Sequence, residues 1–176
     1  ENPAFVKNRL HQPHDALGPD PVVVGPVAAT VHEAATSARD ALAARRVVAA
    51  WPGAPRPVSA ADLLPERALG GDEAARDILV RSVYRPLADD RGPLLETVEA
   101  YLAIGCSIEG ASRRLLVHPN TVRYRLRRAH ELSGWSPSDP RGQFALRTAL
   151  VLGRLTSSEP EPEPSSLVDI RQRRAT

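Results

Sequence analysis

The chain is short of several things, and each shortage closes a class of explanation. A single cysteine, Cys106, in 176 residues excludes an internal disulfide framework and leaves no cluster for a metal site, which fits a reducing cytoplasm. Cys106 itself reads as a small apolar turn or core residue ahead of any redox role. Aromatic residues make up 4% of the chain while prolines number 17, which points to thin cores, several linkers and modest stability. No run approaches the roughly 18 apolar residues that a membrane span needs. The opening Glu1-Asn2-Pro3 is neither a methionine start nor a basic signal segment, so no membrane partner is expected and the chain reads as a fragment of something longer. A net charge of +2 says little about nucleic acid by itself.

What is present is a soluble globular composition, 42% hydrophobic and 25% charged, at a length that suits one ordinary domain or two small ones. The charges are unevenly placed. Between Ser107 and Trp135 stand Arg113, Arg114, Arg123, Arg125, Arg127 and Arg128 against the acids Glu109 and Glu131.

Read from the start, Val22 to Val24 before Gly25-Pro26 makes a short buried strand, and Thr30 with Glu33 three residues on forms a capping box. The helix it opens runs to about Ala50, with Val31, Ala35, Ala38, Leu42 and Val48 on related faces and Pro52-Gly53 as its stop. Residues 55–59 suit a short edge strand, since proline cannot donate to a sheet interior. Gly70-Gly71-Asp72-Glu73 invites comparison with the Gly-Gly-Asp/Glu-Glu-Phe hairpin of diguanylate cyclases. Ala74 stands where phenylalanine is required, and the flanks are helical in period, with Leu63, Leu64 and Leu69 before and Ile78, Leu79, Val83 and Leu87 after. The glycines then end one helix, Asp72 caps the next, and no catalysis is expected.

Asp89 to Gly92 is a polar linker, and Pro93 suits a first helical turn, so a domain boundary is placed here. Leu94, Leu95, Val98, Tyr101 and Leu102 make an amphipathic helix ending near Gly105. Ser107 caps a second helix with Ile108, Ala111 and Leu115, and the chain turns at Leu116-Val117. His118 caps a third helix that starts at Pro119 and buries Val122, Leu126 and Ala129. Two short helices joined tightly and followed by an arginine-rich one are the parts of a helix-turn-helix.

At about 100° per residue, the side opposite Val122 holds Asn120, Tyr124 and Arg127, flanked by Thr121, Arg123 and Arg128. Asparagine can pair with adenine and arginine with guanine, while Tyr124 and the flanking arginines reach phosphates. Arg125 lies closer to the buried side, where a structural ion pair competes with a DNA contact. The same set also suits a solvated basic face on a core helix.

The stretch Val117 to Arg128 resembles the signature His-x-Asn-Thr-Val-x-Tyr-Arg-Leu of the C-terminal helix-turn-helix in the PucR/CdaR family of bacterial regulators. Leu94 to Leu102 resembles the family's lead-in helix. Asp139 to Leu155, with Phe144, Leu146, Ala149, Leu150 and Leu152 apolar, resembles its closing helix. Leu116 stands where family members more often carry His, Gly or another small or polar residue. Residues 20–88 are similar to the end of the degenerate GGDEF-like domain that precedes the helix-turn-helix in many members. The segment Asp62 to Leu69 is closest to actinobacterial regulators, one subgroup of which is associated with fatty-acid synthesis genes.

The fold expected is mainly α. A GGDEF-like α/β remnant spans 1–88, a helix-turn-helix bundle 92–156, and a disordered Glu-Pro tail 157–176 ending in a basic Arg171 to Arg174 patch. The resemblance implies a regulator that binds double-stranded DNA through His118, Asn120, Thr121, Arg123, Tyr124, Arg127 and Arg128. It implies a homodimer, an unidentified effector acting through upstream domains, and no cofactor. The competing reading is a helix-turn-helix that docks protein instead of DNA.

Overall fold

The computed structural model describes residues 18–90 and 92–158. The expected tail beyond residue 158, its basic end, and Arg91 of the expected linker lie outside the described residues, whereas Ser157 and Ser158 close the last helix.

Strand β1 (Val23–Val24) pairs in parallel with β2 (Val58–Ser59), Val23 opposite Val58 and Val24 opposite Ser59. Parallel strands need a crossover, supplied here by α1 (Val31–Val47) and a tight turn over Val48–Ala50. The Thr30 hydroxyl accepts from the Glu33 N–H at 3.2 Å, and the Glu33 carboxylate accepts from the Ala29 N–H at 2.7 Å. This is the expected capping box with its return bond moved one residue upstream.

The buried face of α1 differs from the expected one. Val31 is 88% exposed and Leu42 62%, and Ala35 and Ala38 face solvent as well. Of the expected set Val48 is buried, and with Ala44 it packs against Val58, Ala60 and Leu63. Ala44, near its end, is the buried residue of α1, and the apolar residues of its first turns have no second layer among the described residues.

Helix α2 (Leu64–Leu69) stops at Gly70, Gly71 turns the chain at φ 92°, and Asp72 opens α3 (Glu73–Leu79) by accepting from the Ala75 N–H. The Gly-Gly-Asp segment is thus a helix stop and cap, and no cyclase hairpin forms. Asp72 also meets the buried guanidinium of Arg67 at 2.8 Å, and Arg67 reaches Asp40 of α1 at 2.9 Å. Burial works to raise the Asp72 pKa. The Arg67 hydrogen bond and charge, with the Ala75 and Ala74 amides, outweigh it and hold the carboxyl below its ordinary value.

Helix α3 continues through a π turn, Val80–Tyr84, into α4 (Arg85–Asp89). Pro86 accounts for the widening. In an unbroken α-helix its ring would press on the Ser82 carbonyl, whereas here the Arg85 N–H donates five residues back to Val80.

Four helices complete the fold: α5 (Leu94–Ala103), α6 (Ile108–Leu115), α7 (Pro119–Ser133) and α8 (Pro140–Ser158). Pro93 flanks α5 and does not lie within it. Val98, Ala111, Val122, Leu126 and Leu146 share one hydrophobic cluster, which runs without a break into Leu64, Leu79, Val83 and Leu87. The π turn and α4 both pack on α7. The boundary placed at 88–92 therefore does not coincide with a break in packing. A polar linker reports an exposed turn; whether the segments beside it separate depends on the apolar faces they present to each other. Residues 64–89 belong to the body that carries the helix-turn-helix, and the smaller α/β cluster ends at Leu63.

Candidate nucleic-acid interface

The turn that aims α7 is built from local bonds. Ser107 caps α6 by accepting from the Gly110 N–H at 3.0 Å. At its other end Leu116 turns left-handed at φ 54° and ψ 40°, and the Val117 N–H donates to the Ser112 carbonyl at 3.1 Å, closing a Schellman-type stop. Leu116 is 91% exposed, so it has almost no burial to offset the roughly 1–2 kcal/mol that a left-handed conformation costs a side chain with a Cβ. Leu116→Gly is therefore expected to stabilise the protein by about 0.5–1 kcal/mol, after glycine's extra freedom in the unfolded chain is subtracted. A urea midpoint that falls would contradict this.

His118 then caps α7, its Nδ1 accepting from the Asn120 N–H at 3.1 Å, and Pro119 takes the first helical position. Val122, Leu126 and Ala129 are buried as the helical period requires, and Ser133 continues that stripe. On the outer side His118, Asn120, Arg123, Tyr124, Arg127 and Arg128 are exposed and Thr121 is half-buried. Six of the seven expected residues are therefore exposed, at the cap of α7 and along its start and middle, with Thr121 half-buried beside them.

The arginines on this surface are not equivalent. Arg123 uses both arms of its fork: Nη1 donates to the Asn120 Oδ1 at 2.8 Å, and Nη2 lies 3.8 Å from the Glu109 carboxylate on α6. Arg128 meets Glu131 at 3.4 Å. Arg125 is half-buried and donates to the Thr97 hydroxyl, which in turn donates to the Pro93 carbonyl. Its structural role is thus a hydrogen bond to α5 and not an ion pair.

A model of the PucR C-terminal helix-turn-helix domain matches residues 94–152. Residues 94–152 belong to the PucR helix-turn-helix family. The chain is similar to uncharacterized proteins of Mycobacterium tuberculosis and Mycobacterium bovis, 47% identical over 89% of this chain and 37% of theirs. It is also 47% identical to the purine catabolism regulatory protein of Bacillus subtilis, over 36% of this chain and 12% of that one. A solved regulator of polyketide synthase expression from Bifidobacterium adolescentis superposes with a TM-score of 0.73 at 41% identity, over 79% of this chain and 55% of that one. The chain thus spans little more than a third of the mycobacterial relatives' length. The Bacillus and Bifidobacterium proteins are regulators, and no helix of the described residues is long and apolar enough to cross a membrane.

Within the PucR-type domain, sequence reasoning passed over two groups. Glu109 joins the outer surface through Arg123, a pairing between two helices that no single-helix period reveals. Arg147 donates to the Leu102 carbonyl at 2.6 Å and so satisfies the end of α5. A basic residue opposite a helix C-terminus is the only signal that could have found it.

Proposed function

We propose that this chain is the DNA-reading end of a PucR-family transcription regulator, with α7 as the recognition helix in the major groove of double-stranded DNA. The observation that carries the reading is the exposed surface of α7. A helix held by Val122, Leu126 and Ala129 turns outward Asn120, Tyr124 and Arg127, with Arg123 and Arg128 beside them. Asn120 and Arg127 read base edges, and Arg123, Tyr124 and Arg128 hold phosphates, with His118 and Thr121 at the entry of the helix. A single helix-turn-helix covers only about 600–1,000 Å² of protein surface on DNA, so the working form is a homodimer on a twofold site. An effector acts through upstream parts of the regulator. Acyl-chain synthesis genes are the first place to seek the operator, given the fatty-acid association of similar actinobacterial regulators and the Bifidobacterium neighbour's being a regulator of polyketide synthase expression.

The test is selection of duplexes from a random pool, followed by affinity measurements across salt concentrations. Sequence preference is expected, with log K falling linearly against log salt and the slope flattened by about one unit in Arg128→Ala. Absence of preference together with a flat salt response is the outcome expected of a protein-docking module.

A further inference from the structure

On the reading that α7 binds DNA, we infer that Glu109 and Arg123 form a positioning relay that fixes which way the Asn120 amide faces, and so sets base preference at the position Asn120 reads. An asparagine amide presents an acceptor at one end and donors at the other, and rotation by about 180° about its last bond exchanges them. Reading adenine in the major groove needs both ends in order, the oxygen toward the N6 amino group and the nitrogen toward N7. An arginine beside the amide breaks the symmetry, because it has only donors and can sit only against the oxygen. Arg123 does this at 2.8 Å. Its second arm faces Glu109 at 3.8 Å, which steadies the guanidinium between α6 and the Asn120 amide.

The relay uses the planar fork of arginine, since one nitrogen holds Asn120 while the other faces Glu109; lysine has the charge without the fork. The neighbouring pair of Arg128 and Glu131, at 3.4 Å, makes no hydrogen bond to Asn120 or Arg127 among the described residues. It therefore serves as an internal control, with the same charge change on the same surface outside the relay.

The experiment uses the whole 176-residue chain, its pool-selected duplex, the same duplex with the base pair read by Asn120 replaced, and a random duplex, by fluorescence anisotropy at several salt concentrations. That base pair is located as the one at which Asn120→Ala abolishes preference. Glu109→Gln, Arg123→Lys and Glu131→Gln are compared, with circular dichroism to confirm folding. Glu109→Gln and Arg123→Lys are expected to lower discrimination at that one base pair about tenfold and to leave discrimination elsewhere unchanged. Glu131→Gln is expected to tighten all duplexes alike. The relay is overturned if both variants discriminate as the parent does, or if Glu131→Gln erodes preference at the same base pair equally. If the parent shows no preference for its selected duplex, the reading of α7 as a recognition helix fails first, and the relay with it.

Discussion

Gly153→Ala is expected to destabilise the protein by about 3 kcal/mol, at a position where helix propensity alone would favour alanine by about 1 kcal/mol. A Cβ built at Gly153 of α8 would lie 2.0 Å from the Tyr84 Cγ. That atom is the root of the ring and not the flexible end of a side chain, so the backbone of α8 or of the π turn must shift. Tyr84 stands in the widened turn ahead of Pro86, which packs on both α8 and α7. The close approach of glycine to this ring therefore fixes the distance between the upstream helix and the two helices that carry and support the reading surface. Urea unfolding of Gly153→Ala, Tyr84→Ala and the double variant measures this. The double variant should lose clearly less than the sum of the two, because removing the ring removes the clash. A Gly153→Ala protein as stable as the parent would contradict the packing.

Loss of Arg141 is expected to cost about as much, roughly 3–5 kcal/mol, because its partner Glu66 is 7% exposed and would be left as an unpaired buried charge. From the first turn of α8, the Arg141 guanidinium meets both oxygens of Glu66, donates to the Asp62 carbonyl, and stacks over Trp51 at 3.9 Å from the ring centre. One side chain thus ties α8 to α2 and to the Trp51 edge of the smaller cluster. Arg141→Lys should recover little, since lysine cannot supply the planar fork or the stacking face. Replacing Arg141 and Glu66 together by leucine should cost far less than the two single losses combined. Limited proteolysis of Arg141→Ala should cut first near residues 60–63, releasing the α/β segment while residues 64–158 stay protected. Additive losses in denaturant would show that the pair is not coupled as the geometry implies.

The parts of the fold that sequence could give are those decided locally. Ser107, His118 and Pro119 set the starts of α6 and α7, and the spacing of Val122, Leu126 and Ala129 sets the outward side of α7, because capping and helical period need no knowledge of the rest of the chain. The Gly70 to Asp72 stop is legible for the same reason. Burial of Val31 and Leu42 was not, since an apolar stripe shows what a helix can bury and not whether a second layer covers it. The continuous core from Leu64 to Leu150 was hidden behind the polar linker. Pro86 carried a signal for the π turn that helical periodicity alone overlooks. The division of labour among the arginines was the least accessible. Whether Arg123 meets Glu109, or Arg125 meets Thr97, depends on how α6 and α5 lie against α7.

The central claim, that the outer side of α7 reads DNA, is tested most directly by the affinities of Asn120→Ala and Arg127→Ala for the selected duplex and for a scrambled one at fixed salt. Each variant should lose about 1–3 kcal/mol on the selected duplex and little on the scrambled one, while circular dichroism stays that of the parent. Folded variants that hold the selected duplex as tightly as the parent would show that α7 does not read base edges.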